Sequence, residues 1–286
     1  MIGRLCVIGV GLIGGSLALA LRHAGAVKEV VGAGRDETHL RKAVDLGVID
    51  RFELNAARAV EGADVVMLAV PLGAMQAVCA AIKDRLHTNT VVTDAGSAKR
   101  SVVAAVRAVF GDIPTRFVPG HPIAGTERSG VEAASSALFC ERRVILTPLA
   151  NTAPSAIRTV RLMWEQTGAR VEEMDVAHHD RVLAATSHLP HMLAFVLVDS
   201  LARMEEREEV FRYAASGFRD FTRIAASDPV MWHDICLANG DIIQTVIARY
   251  RSDLKLVEDA IVRHDAEQLL EIFSRAKRAR DRLVER

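Results

Sequence analysis

The sequence predicts an α/β fold, a doubly wound parallel sheet followed by an all-helical region. Three observations carry this. Short β-branched runs alternate with alanine-rich stretches of helical spacing through the first 174 residues, and continuous apolar strands separated by helices pair in parallel with both faces covered. The segment VIGVGLIGGS at 7–16 leaves the first run through three spaced glycines and opens the first helix. After about Asp175 the strand pattern stops and helical candidates follow one another. Two parts are therefore expected, 1–174 and 175–286, in a chain longer than one core usually supports.

The strand candidates in order are LCVIG (5–9), EVVG (29–32), DVVMLAV (64–70), NTVVT (89–93), RFVP (116–119), RVILT (143–147) and RVEEM (170–174). Each is a short run too brief for a helix, most of them apolar and β-branched. Helices are expected between most of them, at 16–23, 37–46, 75–86 and 99–109. Beyond 175 the candidates are 176–187, 190–206, a short stretch near Phe211, 228–264 with at least one break, and 266–285. Ile242, Val246 and Tyr250, then Leu254, Val257 and Ile261, recur three and four apart, the spacing of one helix face. The charged end, SRAKRARDRLVER, is a solvated helix face.

Lys+Arg and Asp+Glu both number 36, so no net field draws phosphate backbones or anionic lipid, and nucleic acid is not an expected partner. Cys6, Cys79, Cys140 and Cys236 lie far apart in apolar or helical contexts without paired spacing, which fits reduced thiols in a cytoplasmic protein and no metal site. The N-terminus is apolar without a basic region, so it is structure rather than an address. The most apolar later run, 182–198, contains His188, Pro190 and His191, and is expected as a core helix with no membrane contact.

Gly9, Gly11 and Gly14 stand in G-x-G-x-x-G spacing between a strand and a helix. The first allows a tight turn, the second lets a pyrophosphate approach the backbone, and the third brings helix and strand together. Free amides at the helix start, those of Leu12 and Ile13 among them, then hold the anion. This is a Rossmann-like dinucleotide site. Which dinucleotide depends on the end of the second strand, where an acid binds the ribose of NAD and an arginine favours NADP. Gly34 and Arg35 occupy that place, with Asp36 late, so NADP is favoured over NAD. Asp36 has two further readings, a helix N-cap or a displaced NAD acid.

Strand ends in such a sheet deliver side chains to a crevice beside the cofactor. TDAGSAKR places Ser97 there, and GHPIAGTERSG places His121 there. Pro122 restricts His121 to an extended conformation, and a neutral imidazole so held suits a general base, with Ser97 as its orienting partner. Of the histidines in SHLPH, one is expected to face substrate and the other to be buried and satisfied; no carboxylate or cysteine nearby completes a metal site. In SGFRDFTRIAASDPVMW, Arg219, Asp220 and Arg223 share a turn ahead of Trp232. A guanidinium there clamps a carboxylate, or else forms an Asp220–Arg223 surface pair.

Together GVGLIGGS, TDAGSAK, GHPIAGTERSG, VILTP, SHLPH and GFRDFTRIAASDPVMW, in that order, resemble the prephenate dehydrogenase family, arogenate and cyclohexadienyl dehydrogenases included. The resemblance runs over nearly the whole chain. It implies oxidative decarboxylation of prephenate to 4-hydroxyphenylpyruvate, or of arogenate to tyrosine, with hydride transfer to NAD(P) in tyrosine biosynthesis. By the same resemblance His121 matches the catalytic histidine and Ser97 its partner. His191 matches the substrate-binding histidine, Arg223 an arginine that reaches substrate carboxylate from the partner subunit, and Trp232 a tryptophan near it. The helical part corresponds to a dimerisation domain, so a homodimer is expected. Glu127, on the His121 loop, is a candidate for contact with the arogenate ammonium.

Two other readings share the glycine turn. A different dehydrogenase of similar build, such as a β-hydroxyacid dehydrogenase or an imine reductase, is expected to carry a catalytic lysine or another polar set on its helices. A non-catalytic dinucleotide sensor has no need of His121, Ser97 and Arg223 together.

Overall fold

The computed structural model describes residues 1–284. Its first sheet comprises β1 (Ile2–Ile8), β2 (Val27–Ala33), β3 (Arg51–Glu53), β4 (Val65–Leu68), β5 (Val91–Asp94) and β6 (Phe117–Val118). All pairings are parallel, in the order β3-β2-β1-β4-β5-β6. The order reverses between β1 and β4, and the crevice at such a switch is where ligands bind in open α/β sheets. The connections carry α1 (Leu12–His23), α2 (Glu37–Asp45), α3 (Ala56–Ala59), α4 (Met75–Ile82) and α5 (Lys99–Phe110).

Alternation along the strands builds two cores. Leu5, Val7, Val65 and Met67 face one side with α1 and Trp164, while Cys6, Ile8, Val66 and Leu68 face the other with Met75 and Val102. Successive strand residues point to opposite faces, so a sheet covered on both sides needs both sets apolar. That is why these strands are unbroken runs rather than alternating ones.

The strands at 143–147 and 170–174 do not extend this sheet. They form a second sheet with β7 (Gly120–Pro122), in which β7 pairs antiparallel with β8 (Arg143–Leu146) and β8 parallel with β9 (Arg170–Glu173). Pro119 ends β6 after two residues, and the chain passes directly into β7. A Cβ at Gly120 would stand 3.1 Å from Asp94 O, so the glycine lets β7 lie close against the end of β5. α6 (Pro154–Glu165) covers this region and buries Trp164 edge-on against Phe139, with ring centroids 5.0 Å apart.

Next come α7 (Val176–Leu183), a π-helical turn Ala184–His188, and α8 (Leu189–Ala202). They are followed by α9 (Arg207–Arg212), α10 (Ser216–Thr222), a 3₁₀ turn Arg223–Ala226 and α11 (Pro229–Ala238). The compact unit containing both sheets extends from Met1 to Gly240, so α7 to α11 group with the strands. The second unit, Asp241–Arg286, holds most of α12 (Gly240–Val262) and all of α13 (Ala266–Val284), with Leu254, Ile261, Leu270 and Phe273 exposed. Glu285 of the last expected helix lies outside the described residues.

The expectation of a core helix at 182–198 needs correction. By length and hydropathy the helical run Val176–Ala202 could cross a membrane; its first half buries His179, Asp180, Leu183, Ala184 and His188 against this chain, but most of α8 is only partly buried. Ala194 is the buried residue of α8, and Val196 is exposed.

Candidate active site

The N-terminus of α1 opens onto a cleft of about 390 Å³ at the switch point. Gly11, its N-cap, has no side chain to cap the first turn, so the leading amides are free, and a Cβ there would meet nothing within 4 Å. That open space suits a pyrophosphate. Gly9 and Gly14, expected as cofactor contacts, do not line the cleft. Gly9 has φ +94 and a Cβ on it would strike Ala69 O at 2.2 Å; one on Gly14 would strike Gly9 O at 2.3 Å. They shape the cradle from beneath. The residues present thus fit a dinucleotide.

Gly11, Leu12, Ile13, Ser97, His121, Glu127 and Trp232 all line this one cleft, as do Arg128 and His188. Arg35, His191 and Arg223 do not. Arg35 is exposed at the end of β2, and Asp36 caps α2 by accepting from His39 N at 3.1 Å. Arg223 pairs with Glu127 of its own chain, so the Asp220–Arg223 alternative is not the pairing observed.

His121 sits on β7 with its ring buried. Its Nδ1 partner is His179, whose Nε2 is 2.9 Å away, in place of the expected Ser97. His179 Nδ1 is in turn 2.8 Å from Asp180 Oδ1. The carboxylate fixes the tautomers: an ionised carboxylate only accepts, so His179 donates through Nδ1, its Nε2 accepts, and His121 donates through Nδ1. His121 Nε2 is left with a bare lone pair. Burial acts against ionisation of Asp180, but hydrogen bonds from His179 and from the amides of Arg100 and Lys99 outweigh it and hold the carboxyl below its usual value. Those amides donate to Asp180 at 2.9 and 2.7 Å, because Ala98 at the N-cap of α5 has no side chain to cap it. Asp180 supplies the missing cap from α7, which ties the helical stretch to the sheet.

Burial first, then the neighbouring His179, Lys99 and His188, keeps His121 well below the ordinary histidine range, and so neutral. Lys99 lies fully buried beneath it, Nζ donating at 2.5 Å both to Asp94 Oδ2 and to Gly120 O. Asp94 also accepts from the amides of Gly96 and Gly120, at 2.7 and 3.1 Å. One buried ion pair therefore fixes both the Ser97 turn and the strand carrying His121.

The two histidines of SHLPH are held differently. His188 lines the cleft, whereas His191 stacks flat on Trp232 at 3.8 Å and bonds Ser187 O at 2.8 Å. The π-helical turn ending at His188 adds a residue to one turn and rotates the following face. Asn239 Nδ2 lies 3.3 Å from His188 Nδ1, and donation from the amide assigns the ring proton to Nε2. By hydrogen-bond geometry that Nε2 and the Nε1 of Trp232 are buried and without partners among the described residues, although the Ser97 backbone also acts on the His188 ring, and the two rings lie 6.2 Å apart. Both side chains line the cleft, where buried donors of this kind are met by acceptor atoms of a ligand or of water. Burial above all pushes His188 down to about 4, so its ring is neutral.

Sequence reasoning missed His179, Asp180, Lys99 and Asn239. One signal was present: Ala98 leads α5 where a capping side chain is expected, and the acceptor had to come from elsewhere.

A six-stranded sheet in this order, with free amides at the switch point and a neutral imidazole facing the same cleft, defines a dinucleotide-dependent oxidoreductase. Sequence comparison narrows the class. Residues 17–173 match the nucleotide-binding domain of prephenate dehydrogenase, and 175–275 match its dimerization domain. The chain belongs to the prephenate dehydrogenase family. It is 38% identical to the cyclohexadienyl dehydrogenase of Zymomonas mobilis over 97% of this chain and 94% of that one. It is 36% identical to the prephenate dehydrogenase of Bacillus subtilis over 96% and 74% respectively. The crystal structure of Aquifex aeolicus prephenate dehydrogenase with hydroxyphenyl propionate and NAD+ superposes with a TM-score of 0.91, at 37% identity and 99% coverage of both chains. A 3-hydroxyisobutyrate dehydrogenase from Mycobacterium tuberculosis, with a TM-score of 0.54 and 16% identity, shares the fold alone.

Proposed function

We propose that this chain oxidises prephenate to 4-hydroxyphenylpyruvate, and arogenate to tyrosine, with release of carbon dioxide in tyrosine biosynthesis. The observation that carries the reading is the His121–His179–Asp180 chain, which leaves a bare imidazole nitrogen in the cleft that also receives the free end of α1. When bound, the dinucleotide supplies the hydride acceptor. His121 Nε2 accepts the hydrogen bond of the ring 4-hydroxyl and takes up its proton as C4 is oxidised. His179 receives the Nδ1 hydrogen of His121, and Asp180 stabilises the positive charge that develops along the pair. His188 Nε2 and Trp232 Nε1 donate to substrate oxygens, His191 steadies Trp232 by stacking, and Ser97 lines the wall beside His121.

Residues 1–174 carry the dinucleotide and 175–286 complete the substrate site and the dimer. The preferred dinucleotide is NADP. Arg35 is exposed and has no ion-pair partner among the described residues, which suits the 2′-phosphate, and the Asp36 carboxylate is committed to the cap of α2, which leaves NAD without its acid. A second copy covers the apolar faces of α8, forming a homodimer in the cytoplasm, where the free thiols of all four cysteines are stable. Passage of Arg223 into the partner's cleft is the resemblance's implication, and mixed dimers of His121→Asn and Arg223→Ala test it. Crossing restores one intact site per mixed dimer; service to its own cleft through Glu127 restores none.

The overall reading is tested by assaying prephenate and arogenate, each with NADP and with NAD, for absorbance of the reduced nicotinamide. Turnover of prephenate with NADP is the expected result. No reduction in any combination overturns it.

A further inference from the structure

Three charged side chains line the cleft, Glu127, Arg128 and Asp228. Two are already engaged: Glu127 pairs with Arg223, and Asp228 caps α11 by accepting from the amides of Val230 and Met231 at 2.7 and 3.2 Å. The guanidinium of Arg128 has no hydrogen-bond or ion-pair partner among the described residues, although its amide is held by Thr126 Oγ1 at 3.2 Å. Among the described residues it is the one permanently cationic group lining a cleft that, on the reading above, takes two anionic ligands.

The anchoring of its loop says which ligand it meets. The loop starts at His121 but ends against the dinucleotide side of the cleft. Ser135 N donates to Ser16 Oγ of α1 at 2.9 Å. A Cβ on Gly15, in the first turn of α1, would stand 3.1 Å from Ala134 Cβ and 3.6 Å from Val131 Cγ2. Glu132 pairs with Lys42 of α2 at 3.3 Å. Arg128 is three residues ahead of Val131 and lines the same cleft as Leu12 and Ile13, at the free amides of a helix start that collects phosphate.

We propose that Arg128 lays its guanidinium on the pyrophosphate of the bound dinucleotide, closing from above the cradle that α1 forms from below. A planar guanidinium matches phosphate oxygens with two parallel hydrogen bonds. The loop that positions the imidazole thereby senses the cofactor as well as the substrate. The proposal rests on the dinucleotide reading above and adds to it a residue that lies within GHPIAGTERSG but to which the sequence reading gave no role.

Titration calorimetry on the full chain, with ADP-ribose and adenosine as probes, separates the two. Arg128→Gln is expected to weaken ADP-ribose about tenfold, the loss of one charge-assisted contact on an exposed residue. Adenosine affinity is expected to change less than about twofold, and Arg128→Lys to recover part of the loss as a point charge. Equal ADP-ribose affinity in Arg128→Gln and the unaltered protein overturns the proposal. So does a rise in prephenate KM with ADP-ribose affinity unchanged, which assigns Arg128 to substrate carboxylate. If the unaltered protein binds no ADP-ribose, the dinucleotide reading itself falls.

Discussion

His121 Nδ1 lies 2.9 Å from His179 Nε2, and this bond, more than the neighbouring Ser97, orients the imidazole in the cleft. A residue that acts through His121 affects the chemical step and spares binding. His179→Asn is expected to lower kcat roughly tenfold to a hundredfold, less than the ~10²–10⁴ lost with the base itself. Dinucleotide affinity and prephenate KM stay within about twofold. Steady-state kinetics with calorimetric dinucleotide binding checks the split, and a KM effect without a kcat effect contradicts the role.

The pH profile follows from burial of His121. Its folded-state value is depressed, so the bare base persists as pH falls below the ordinary histidine value of about 6.5. The acidic limb of log kcat/KM is expected well below 6.5, at a pH where an ordinary histidine is already protonated. A limb at or above 6.5 assigned to His121 by its loss in His121→Asn contradicts this.

Stability has the same sign. His188 is pushed down to about 4 by burial, so between about 4 and 6.5 the unfolded chain binds a proton that the folded chain does not. Its contribution is intact above 6.5 and is lost as pH falls toward 4, by up to about 1.4 kcal/mol per pH unit. His121, His179 and His191 are also depressed and act in the same direction. Denaturant midpoints between pH 7 and 4.5 measure it. A flatter dependence is expected in His188→Asn, which leaves the other histidines in place.

Lys99→Met removes the partner of Asp94 and leaves a buried carboxylate facing only two amides. Breaking a buried pair in this way costs about 3–5 kcal/mol. The double variant with Asp94→Asn is expected to recover part of the loss, and urea unfolding of the singles and the double reads the coupling.

Arg35→Ser is expected to lower kcat/KM for NADP about tenfold, with little change for NAD. Unchanged NADP kinetics contradicts the 2′-phosphate assignment.

Much of the fold was legible because the sheet is covered on both faces, which forces unbroken apolar runs such as DVVMLAV, and because the glycine turn has few structural alternatives. Four features were not. β3 and β7 are three residues each, too short for any periodicity. The second sheet arises from a turn at Pro119 and Gly120 whose destination depends on contact with Asp94, a partner far away in sequence. At the site, His121 and Ser97 were marked by their strand ends, but His179 and Asp180 lie in a helix whose pattern shows only amphipathicity. That His188 and not His191 borders the cleft was also not legible, since the π-helical turn before them leaves no mark on residue spacing.

The central claim is that His121 is the proton acceptor in a dinucleotide cleft, and paired measurements on His121→Asn test it most directly. Dinucleotide affinity by calorimetry is expected to equal that of the unaltered protein, while reduction of the nicotinamide with prephenate falls by about 10²-fold or more. Turnover retained within a few-fold contradicts the account.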